Sequence, residues 1–244
     1  MKIIPLSEGC FTIDSSKEFI PFDEHKHLLV DRPKGSLLVE IQPFVVITKN
    51  DIIIIDTGLG IAKNGRPQIH QNLMNVGINS SEVTKVLLSH LHKDHAGGIL
   101  KKQSIAELNF PNATYFVHEK EFENAFSTNS ASYNLDELNK LKSSSKLCLL
   151  KDENGAIENY IEYKITGAHS IYHQVFWIRE EGQIAFFGGD DAPQLQQMKH
   201  RFIAKYDYGG RKAMELRKEW WEKGLQEKWT FMFYHDIKNP VWNF

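Results

Sequence analysis

The chain is poor in cysteine. Only Cys10 and Cys148 occur among its 244 residues, and neither belongs to a C-x-x-C pattern. A disulfide framework or a zinc site built from thiolates is therefore not indicated. We expect both cysteines to be small, buried apolar residues.

Long apolar runs and an excess of charge of one sign are also missing. No stretch approaches the roughly 18 uninterrupted apolar residues of a membrane helix, and the apolar patch at the start is too short for a signal peptide. Lys and Arg total 29 against 31 Asp and Glu, a formal net charge of -2, so no global field would recruit nucleic acid or an anionic membrane. We expect a cytoplasmic protein with neither of these partners.

No repeat, low-complexity tract or Pro/Gly-rich linker divides the chain. Its composition, with 41% apolar and 25% charged residues, is that of an ordinary globular protein. The length suffices for one large core. We therefore expect a single domain over residues 1–244.

Histidines concentrate in residues 83–98. An apolar β-type run over 83–88 leads into four candidate metal ligands within six residues, His90, His92, Asp94 and His95. Imidazole is the commonest metal-binding side chain, and carboxylate is its natural hard partner. Residues two apart in an extended segment point the same way, so His90 and His92 can hold one ion while the next two turn towards a second. The alternative, a polar loop that happens to be rich in histidine, is disfavoured by this spacing.

Two glycines follow this cluster. We expect Gly97 and Gly98 to let the backbone pass close to the metals before a following helix begins.

Further candidate ligands each follow a β-type run. His169 comes after 161–165, Asp190 after 184–187 and His235 after 229–234. Side chains that leave the ends of parallel strands together can converge on one edge of a sheet. Together with the first four residues this makes seven groups, which suffice for two divalent ions.

Other features have less specific interpretations. Asp56 ends a buried β-branched run and is either a turn former or a support for a site. We expect His70 to be a surface or packing residue, and His118 to lie at a strand end near the site without binding metal. The Ser- and Asn-rich residues 127–146 are a candidate lid.

An amphipathic helix is predicted over 211–226. Its lysines and arginines are expected to form the solvated face, and its apolar stripe consists of Ala213, Leu216, Trp220, Trp221 and Leu225.

Several of these segments together resemble the metallo-β-lactamase superfamily. They are the H-x-H-x-D-H of residues 90–95, Asp56-Thr57-Gly58, Gly167-Ala168-His169, Gly189-Asp190 and Tyr234-His235-Asp236. They fall in the family's order, and the resemblance as a whole spans roughly residues 37 to 236. The resemblance implies an α/β (α+β) fold, an αββα sandwich of two mixed β-sheets flanked by helices.

The resemblance also implies roles for individual residues. His90, His92 and His169 would hold the first metal, Asp94, His95 and His235 the second, and Asp190 would bridge them. The neighbouring Asp191 is an alternative for the bridging position. Asp56 and His173 would support the ligands from outside, and Ala168 stands where the family often has glycine.

Some branches of this superfamily fit poorly. His92 stands where flavodiiron oxidases have glutamate, and neither cysteine is placed like the cysteine ligand of certain β-lactamases. The dimensions resemble those of acyl-homoserine lactonases, which usually carry a tyrosine shortly after the bridging aspartate. Ala192-Pro193-Gln194 offers none. Tyr206 or Tyr208 could reach the site from another direction, the alternative being that they are packed or exposed tyrosines.

We therefore expect a metal-dependent hydrolase acting on a small-molecule substrate, as a monomer or homodimer. Two divalent ions, zinc first and iron or manganese as alternatives, would share a bridging hydroxide that cleaves an ester, lactone, thioester or phosphodiester, with Asp94 handling the proton. One alternative is a mononuclear iron oxygenase of the same fold. The other is a metal-bound binding or sensor module without catalysis.

Overall fold

The structure is a computed structural model that describes residues 1–102 and 107–244. Its helices are α1 (Gln68–Asn75), α2 (Lys93–Ala96), α3 (Glu119–Ser127), α4 (Leu135–Lys142), α5 (Leu195–Lys199) and α6 (Gly210–Glu227). Its strands are β1 (Lys2–Pro5), β2 (Gly9–Ile13), β3 (Ile20–Pro21), β4 (Leu37–Ile41), β5 (Phe44–Ile47), β6 (Ile52–Ile55), β7 (Ala62–Lys63), β8 (Arg66–Pro67), β9 (Lys85–Leu87), β10 (Thr114–His118), β11 (Leu147–Leu150), β12 (Asn154–Ile157), β13 (Ile161–Ile165), β14 (Gln174–Glu180), β15 (Gln183–Phe187), β16 (Thr230–Met232) and β17 (Val241–Trp242).

Two six-stranded sheets form the centre of the fold. The first has the order β1-β5-β6-β9-β10-β11, and the second has the order β12-β13-β14-β15-β16-β17. Both are mixed, because β6, β9, β10 and β11 run parallel beside the antiparallel β5, and the parallel pair β15 and β16 adjoins antiparallel neighbours. A smaller sheet, β3-β2-β4, is added at the N-terminal part of the chain.

Side chains alternate between the two faces of each central strand, and this alternation shows how the sheets and helices pack. In β6, Ile53 and Ile55 belong to the cluster between the two sheets, whereas Ile54 packs with α1, α3 and α4 on the outer face of the first sheet. In β15, Phe187 faces the first sheet and Phe186 packs with α5 and α6. Each such fully buried side chain contributes about 1.5–3 kcal/mol through removal of apolar surface from water. The predicted αββα sandwich of mixed sheets and flanking helices is confirmed.

Helix α6 differs from its predicted amphipathic pattern at two positions. Ala213 and Trp220 are buried as predicted, but Leu225 is 56% exposed. Arg217, expected on the solvated face, is buried. Arg217 lies four residues after Ala213 and three before Trp220, which places it on the buried stripe, whereas Leu225 is five residues beyond Trp220 and leaves that stripe.

The helix that we predicted after Gly97 and Gly98 is absent from the described residues 99–102. The short helix α2 precedes the two glycines instead. A Cβ atom on Gly98 would collide with the carbonyl oxygen of Thr57, and one on Gly97 would collide with the carbonyl oxygen of Lys93. The glycines therefore let the chain pack against the loop after β6.

The cysteines are only partly buried, contrary to expectation. Both are free thiols, and Sγ of Cys10 donates to Oε2 of Glu40 at 2.7 Å. In the described ranges, no helix combines the length and the apolar character needed to cross a membrane.

Candidate metal centre

All seven predicted ligands lie at one edge of the two sheets. His90, His92, Asp94 and His95 follow β9, and His169 follows β13. Asp190 lies in the turn after β15, and His235 follows β16. The predicted convergence of groups at strand ends is therefore present in the structure.

Three histidines form a first cluster of nitrogen atoms. Nε2 of His90 lies 2.9 Å from Nδ1 of His92, and Nε2 of His169 lies 3.4 Å from that same Nδ1. Their donor atoms all lie within 4.8 Å of one another, as the side chains of a common metal ion require. The cluster contains the residues expected for the first metal.

A second cluster consists of Asp94, His95 and His235. Oδ2 of Asp94 lies 3.6 Å from Nε2 of His95 and 3.6 Å from Nε2 of His235. These donor atoms also lie within 4.8 Å of one another. The cluster contains the residues expected for the second metal.

The carboxylate of Asp190 lies between the two clusters. Oδ1 is 3.1 Å from Nε2 of His95 and 3.0 Å from Nε2 of His235. Oδ2 is 3.2 Å from Nε2 of His169 and 4.0 Å from Nε2 of His90. One oxygen therefore faces each cluster, which is the arrangement that a bridging ligand needs.

A family model described as "Metallo-beta-lactamase superfamily" matches residues 39–103, which include the histidine motif. The chain has the metallo-β-lactamase fold. The resemblance drawn from the motifs is thereby confirmed. No curated protein matches the chain by sequence.

Several solved structures share this metallo-β-lactamase fold. A probable metal-dependent hydrolase from Staphylococcus aureus superposes with a TM-score of 0.80 at 20% identity, covering 99% of this chain and 91% of that one. AidC, a dizinc quorum-quenching lactonase in complex with the product N-hexanoyl-L-homoserine, gives 0.74 at 20% identity, covering 98% and 88%. The hydrolase AbOPH of the beta-lactamase superfamily gives 0.74 at 21% identity, covering 99% and 89%.

Asp191, the alternative for the bridging position, has different contacts in this metallo-β-lactamase fold. The backbone N–H of His169 donates to Oδ1 of Asp191 at 2.6 Å, and Nδ1 of His173 lies 3.1 Å from Oδ2. Nε2 of His173 in turn accepts the backbone N–H of Asp190 at 3.1 Å. Asp191 and His173 thus support the loop that presents Asp190, and it is the carboxylate of Asp190 that lies between the two clusters.

Three histidines are oriented by contacts on the ring nitrogen that faces away from the clusters. Nδ1 of His95 lies 2.7 Å from Oδ2 of Asp56, and Nδ1 of His235 lies 2.7 Å from the carbonyl oxygen of Glu40. Nδ1 of His169 lies 3.0 Å from Oδ1 of Asp207. Such contacts hold Nδ1–H and leave the Nε2 lone pair for a metal.

Asp56 also holds the start of the histidine motif. It adopts a left-handed backbone conformation directly after β6, with φ of 54°, which Asp tolerates better than most residues. Its Oδ1 accepts the backbone N–H of Ser89 at 2.7 Å, and its Oδ2 accepts the Ser89 hydroxyl at 2.7 Å. Asp56 is therefore a support of the site and not only a turn former.

The electrostatics of the clusters suit metal ligands. Burial lowers the pKa of His90 and His92 well below the usual value, so both imidazoles are neutral and have a lone pair available. Burial opposes ionisation of Asp190, but the neighbouring His95, His235 and His169 outweigh it and hold its pKa well below the usual range. Asp190 therefore carries its negative charge.

Three carboxylates lie close to the ring of His95. Burial disfavours its charged form, yet the carboxylates of Asp190, Asp94 and Asp56 raise its pKa well above the usual value. Although 3.1 Å apart, Nε2 of His95 and Oδ1 of Asp190 are buried without a well-aligned hydrogen bond to any of the described residues. Two ligand atoms that point to a common cation rather than to each other have this geometry, so the residues fit bound divalent metal.

Three supporting residues were missed by the sequence analysis. Asp207 contacts His169, and Oε1 of the buried Glu121 accepts the backbone N–H of Leu91 at 3.0 Å, between two ligands. Buried Arg217 donates from Nη1 to the carbonyl oxygen of Asp191 at 2.8 Å and from Nη2 to that of Phe202 at 2.6 Å. No periodicity or motif distinguishes Asp207 and Glu121 from ordinary surface acids, whereas the spacing of Arg217 from Ala213 and Trp220 was a signal for its burial.

His70, His118 and residues 127–146 lie outside the two clusters. Nε2 of His70 lies 2.9 Å from the carbonyl oxygen of Asn109, and the ring of His118 caps α3, so both lie outside the clusters, as expected. Part of residues 127–146 packs on the site, because the carbonyl oxygen of Ser132 accepts the N–H of Lys93 at 2.7 Å and the Tyr133 ring centroid lies 5.3 Å from that of His92.

A cavity of about 860 Å³ opens onto the clusters. His92, Asp94, His169, Asp190 and His235 form part of its wall, together with residues of β4 and of the segment 202–206. Tyr206 lines this cavity, with its ring centroid 6.1 Å from that of His169, whereas Tyr208 is 70% exposed and lies outside it. Of the two tyrosines considered, Tyr206 reaches the site.

Proposed function

We propose that the protein is a dinuclear metal hydrolase that cleaves an ester, lactone, thioester or phosphodiester of a small molecule. The observation that carries this proposal is the position of Asp190, which presents one carboxylate oxygen to each of two complete ligand clusters. That the structural neighbours include a probable metal-dependent hydrolase and a dizinc lactonase supports it.

The residues divide into ligands and supports. We assign His90, His92 and His169 to one ion and Asp94, His95 and His235 to the other, with Asp190 shared. When bound, two divalent ions, zinc in our proposal, supply a water-derived nucleophile near neutral pH and polarise the bond under attack.

Asp94 and Tyr206 are the residues that we assign to the proton and the developing charge. Asp94 is an acceptor at the cluster edge that faces the cavity, so we assign it the proton released during attack. Burial, with the nearby charges of Asp190 and Asp207, raises the pKa of Tyr206 to about 12. Its hydroxyl therefore keeps its proton and can donate to an oxygen that becomes negative.

The test combines metal analysis with a substrate panel of esters, lactones, thioesters and phosphodiesters. The lactone arm includes N-hexanoyl-homoserine lactone, since the AidC structure holds the corresponding product. We expect about two zinc ions per chain and turnover that disappears on chelation. His92→Ala and Asp190→Ala should each abolish hydrolysis with the fold retained by circular dichroism, whereas His200→Ala, at an exposed histidine, should not.

Contrary outcomes separate the alternatives. Full activity of metal-stripped protein would overturn the proposal. A single redox-active iron per chain would identify a mononuclear iron oxygenase instead. If the fully metal-loaded protein hydrolyses no compound of the substrate panel, the protein would instead be a metal-bound binding or sensor module.

A further inference from the structure

Three lysines line the cavity over the candidate metal centre. They are Lys17, Lys93 and Lys205. Apart from Asp94 and Asp190, which belong to the metal clusters, Asp14 is the acidic residue of the lining, and its Oδ1 already accepts the backbone N–H of Ser16 at 2.9 Å. Among the residues that the structure describes, none of the three lysines has a carboxylate within ion-pair distance. The lining therefore carries unpaired positive charge.

Two of these lysines, Lys17 and Lys93, line the cavity together with the candidate ligand His92. Lys93 follows the ligand His92 directly, and its Nζ lies 6.0 Å from the ring centroid of Phe19, which also lines the cavity. Lys17 comes from a different segment of the chain and lines the same cavity as His92.

Hydroxyl donors come from the same segments. Ser15, two residues before Lys17, lines the cavity, and so does Ser132, whose carbonyl oxygen accepts the backbone N–H of Lys93 at 2.7 Å. The wall beside His92 is thus rich in hydrogen-bond donors. Ammonium and hydroxyl groups together are suited to a carboxylate or phosphate.

Much of the remaining wall is apolar. Side chains of Ile13, Leu37, Val39, Phe202 and Ile203 line it. Apolar surface of this kind binds the hydrocarbon part of a ligand, and a few polar groups fix its orientation. The cavity therefore combines an apolar wall with one cationic wall next to the metal clusters.

We propose that the substrate is an amphipathic anion, with an apolar body and a carboxylate or phosphate group separate from the bond that is cleaved. The anionic group is held by Lys17 and Lys93 beside His92, and the apolar body lies along the β4 and 202–206 walls. This inference rests on the proposed hydrolytic function.

The experiment uses a matched pair of p-nitrophenyl esters with the zinc-loaded protein. Both carry the same acyl chain, one ending in a carboxylate and the other in a carboxamide. We expect kcat/KM to be about tenfold or more higher for the anionic ester at low salt, since hydrogen bonds to charged groups are worth more than neutral ones. The preference should shrink at high salt, because partly exposed charges are screened.

Lysine variants show whether these side chains cause the preference. Lys17→Gln and Lys93→Gln should each reduce it, and the double variant should abolish it. Lys164→Gln, at an exposed lysine of β13 that does not line the cavity, is the matched control and should leave the preference intact. Equal kcat/KM for the two esters, or a preference that survives in the double variant, would overturn the inference. The proposed hydrolytic function would still stand.

A binding measurement separates this inference from the proposed function. The two corresponding N-aryl amides, which resist hydrolysis, are titrated by calorimetry into wild-type and double-variant protein. If neither ester is cleaved, tighter binding of the anionic amide to the wild type alone would still support the anion site, and the proposed function is judged separately on the full substrate panel. Equal binding of both amides to both proteins would overturn it.

Discussion

The ring of His169 and the carboxylate of Asp207 are in direct contact, with Nδ1 of the histidine 3.0 Å from Oδ1 of the aspartate. The contact turns the Nε2 atom of His169 towards Asp190 and His92. The backbone N–H of the same histidine is held by Asp191. His169 therefore depends on two carboxylates from different segments of the chain.

Replacing Asp207 should weaken metal binding at the first cluster. A carboxylate behind a metal-bound histidine fixes its orientation and raises its basicity, and its loss commonly costs about 10- to 100-fold in metal affinity or activity. We expect Asp207→Ala to lower zinc affinity by such a factor, measured by competition with a chromophoric chelator. Asp31→Ala, at an exposed aspartate, is the control. Unchanged zinc affinity in Asp207→Ala would show that the contact has no positioning role.

Arg217 should be a major contributor to stability despite its place in a surface helix. Its guanidinium satisfies the carbonyl oxygens of Asp191 and Phe202 in a buried environment. Arg217→Met keeps most of the volume but leaves both carbonyl groups unsatisfied, so we expect about 2–4 kcal/mol lower free energy of unfolding. Urea denaturation measures this change. If Arg211→Met, at an exposed arginine of the same helix, costs as much, the two hydrogen bonds are not responsible.

Removing the Tyr206 hydroxyl should affect turnover more than substrate binding. The ring stays in Tyr206→Phe, but the donor for a developing negative oxygen is lost, so we expect kcat to fall by about 10- to 100-fold with KM nearly unchanged. Steady-state kinetics on the best substrate of the panel measures kcat and KM separately. Tyr208→Phe, outside the cavity, should behave like the wild type. A Tyr206→Phe enzyme with full kcat would exclude this role.

Glu8 should make the fold less stable as the pH rises. Burial raises its pKa from 4.5 to about 7, although the backbone N–H groups of Leu59 and Ile61 donate to its carboxylate and oppose the shift. Because the folded state holds the proton more tightly than the unfolded state, its contribution is fully present below pH 4.5 and is lost as the pH rises through about 7. The full change is roughly 3 kcal/mol.

Thermal unfolding of metal-free protein between pH 5 and 8 tests this linkage. We expect the decline of stability with pH to be shallower in Glu8→Gln than in the wild type, because glutamine does not titrate. Glu18→Gln, at an exposed glutamate, should retain the wild-type slope. Identical slopes for Glu8→Gln and the wild type would show that Glu8 does not titrate in this range.

The sequence alone singled out the seven candidate ligands, and the family resemblance assigned them to the two clusters that the structure brings together. Four of them stand within one short motif, and the other three each follow a β-type run. Ligand chemistry permits few residue types, and strand ends are readable from hydrophobic patterns, so both signals are local. The αββα architecture came from the resemblance of these motifs, and the structure agrees with it.

Only the tertiary structure decided which groups act around these ligands. Asp190 and Asp191 are neighbours of identical chemistry, and the turn after β15 determines that one faces the clusters and the other supports His169. Arg217, Asp207 and Lys17 belong to segments distant in sequence from the motif. Their contacts depend on how helices and loops pack across the sheet edge, and no periodicity along the chain encodes such packing. The candidate ligands were therefore predictable from the chain, whereas their supports and the cationic cavity wall required the fold.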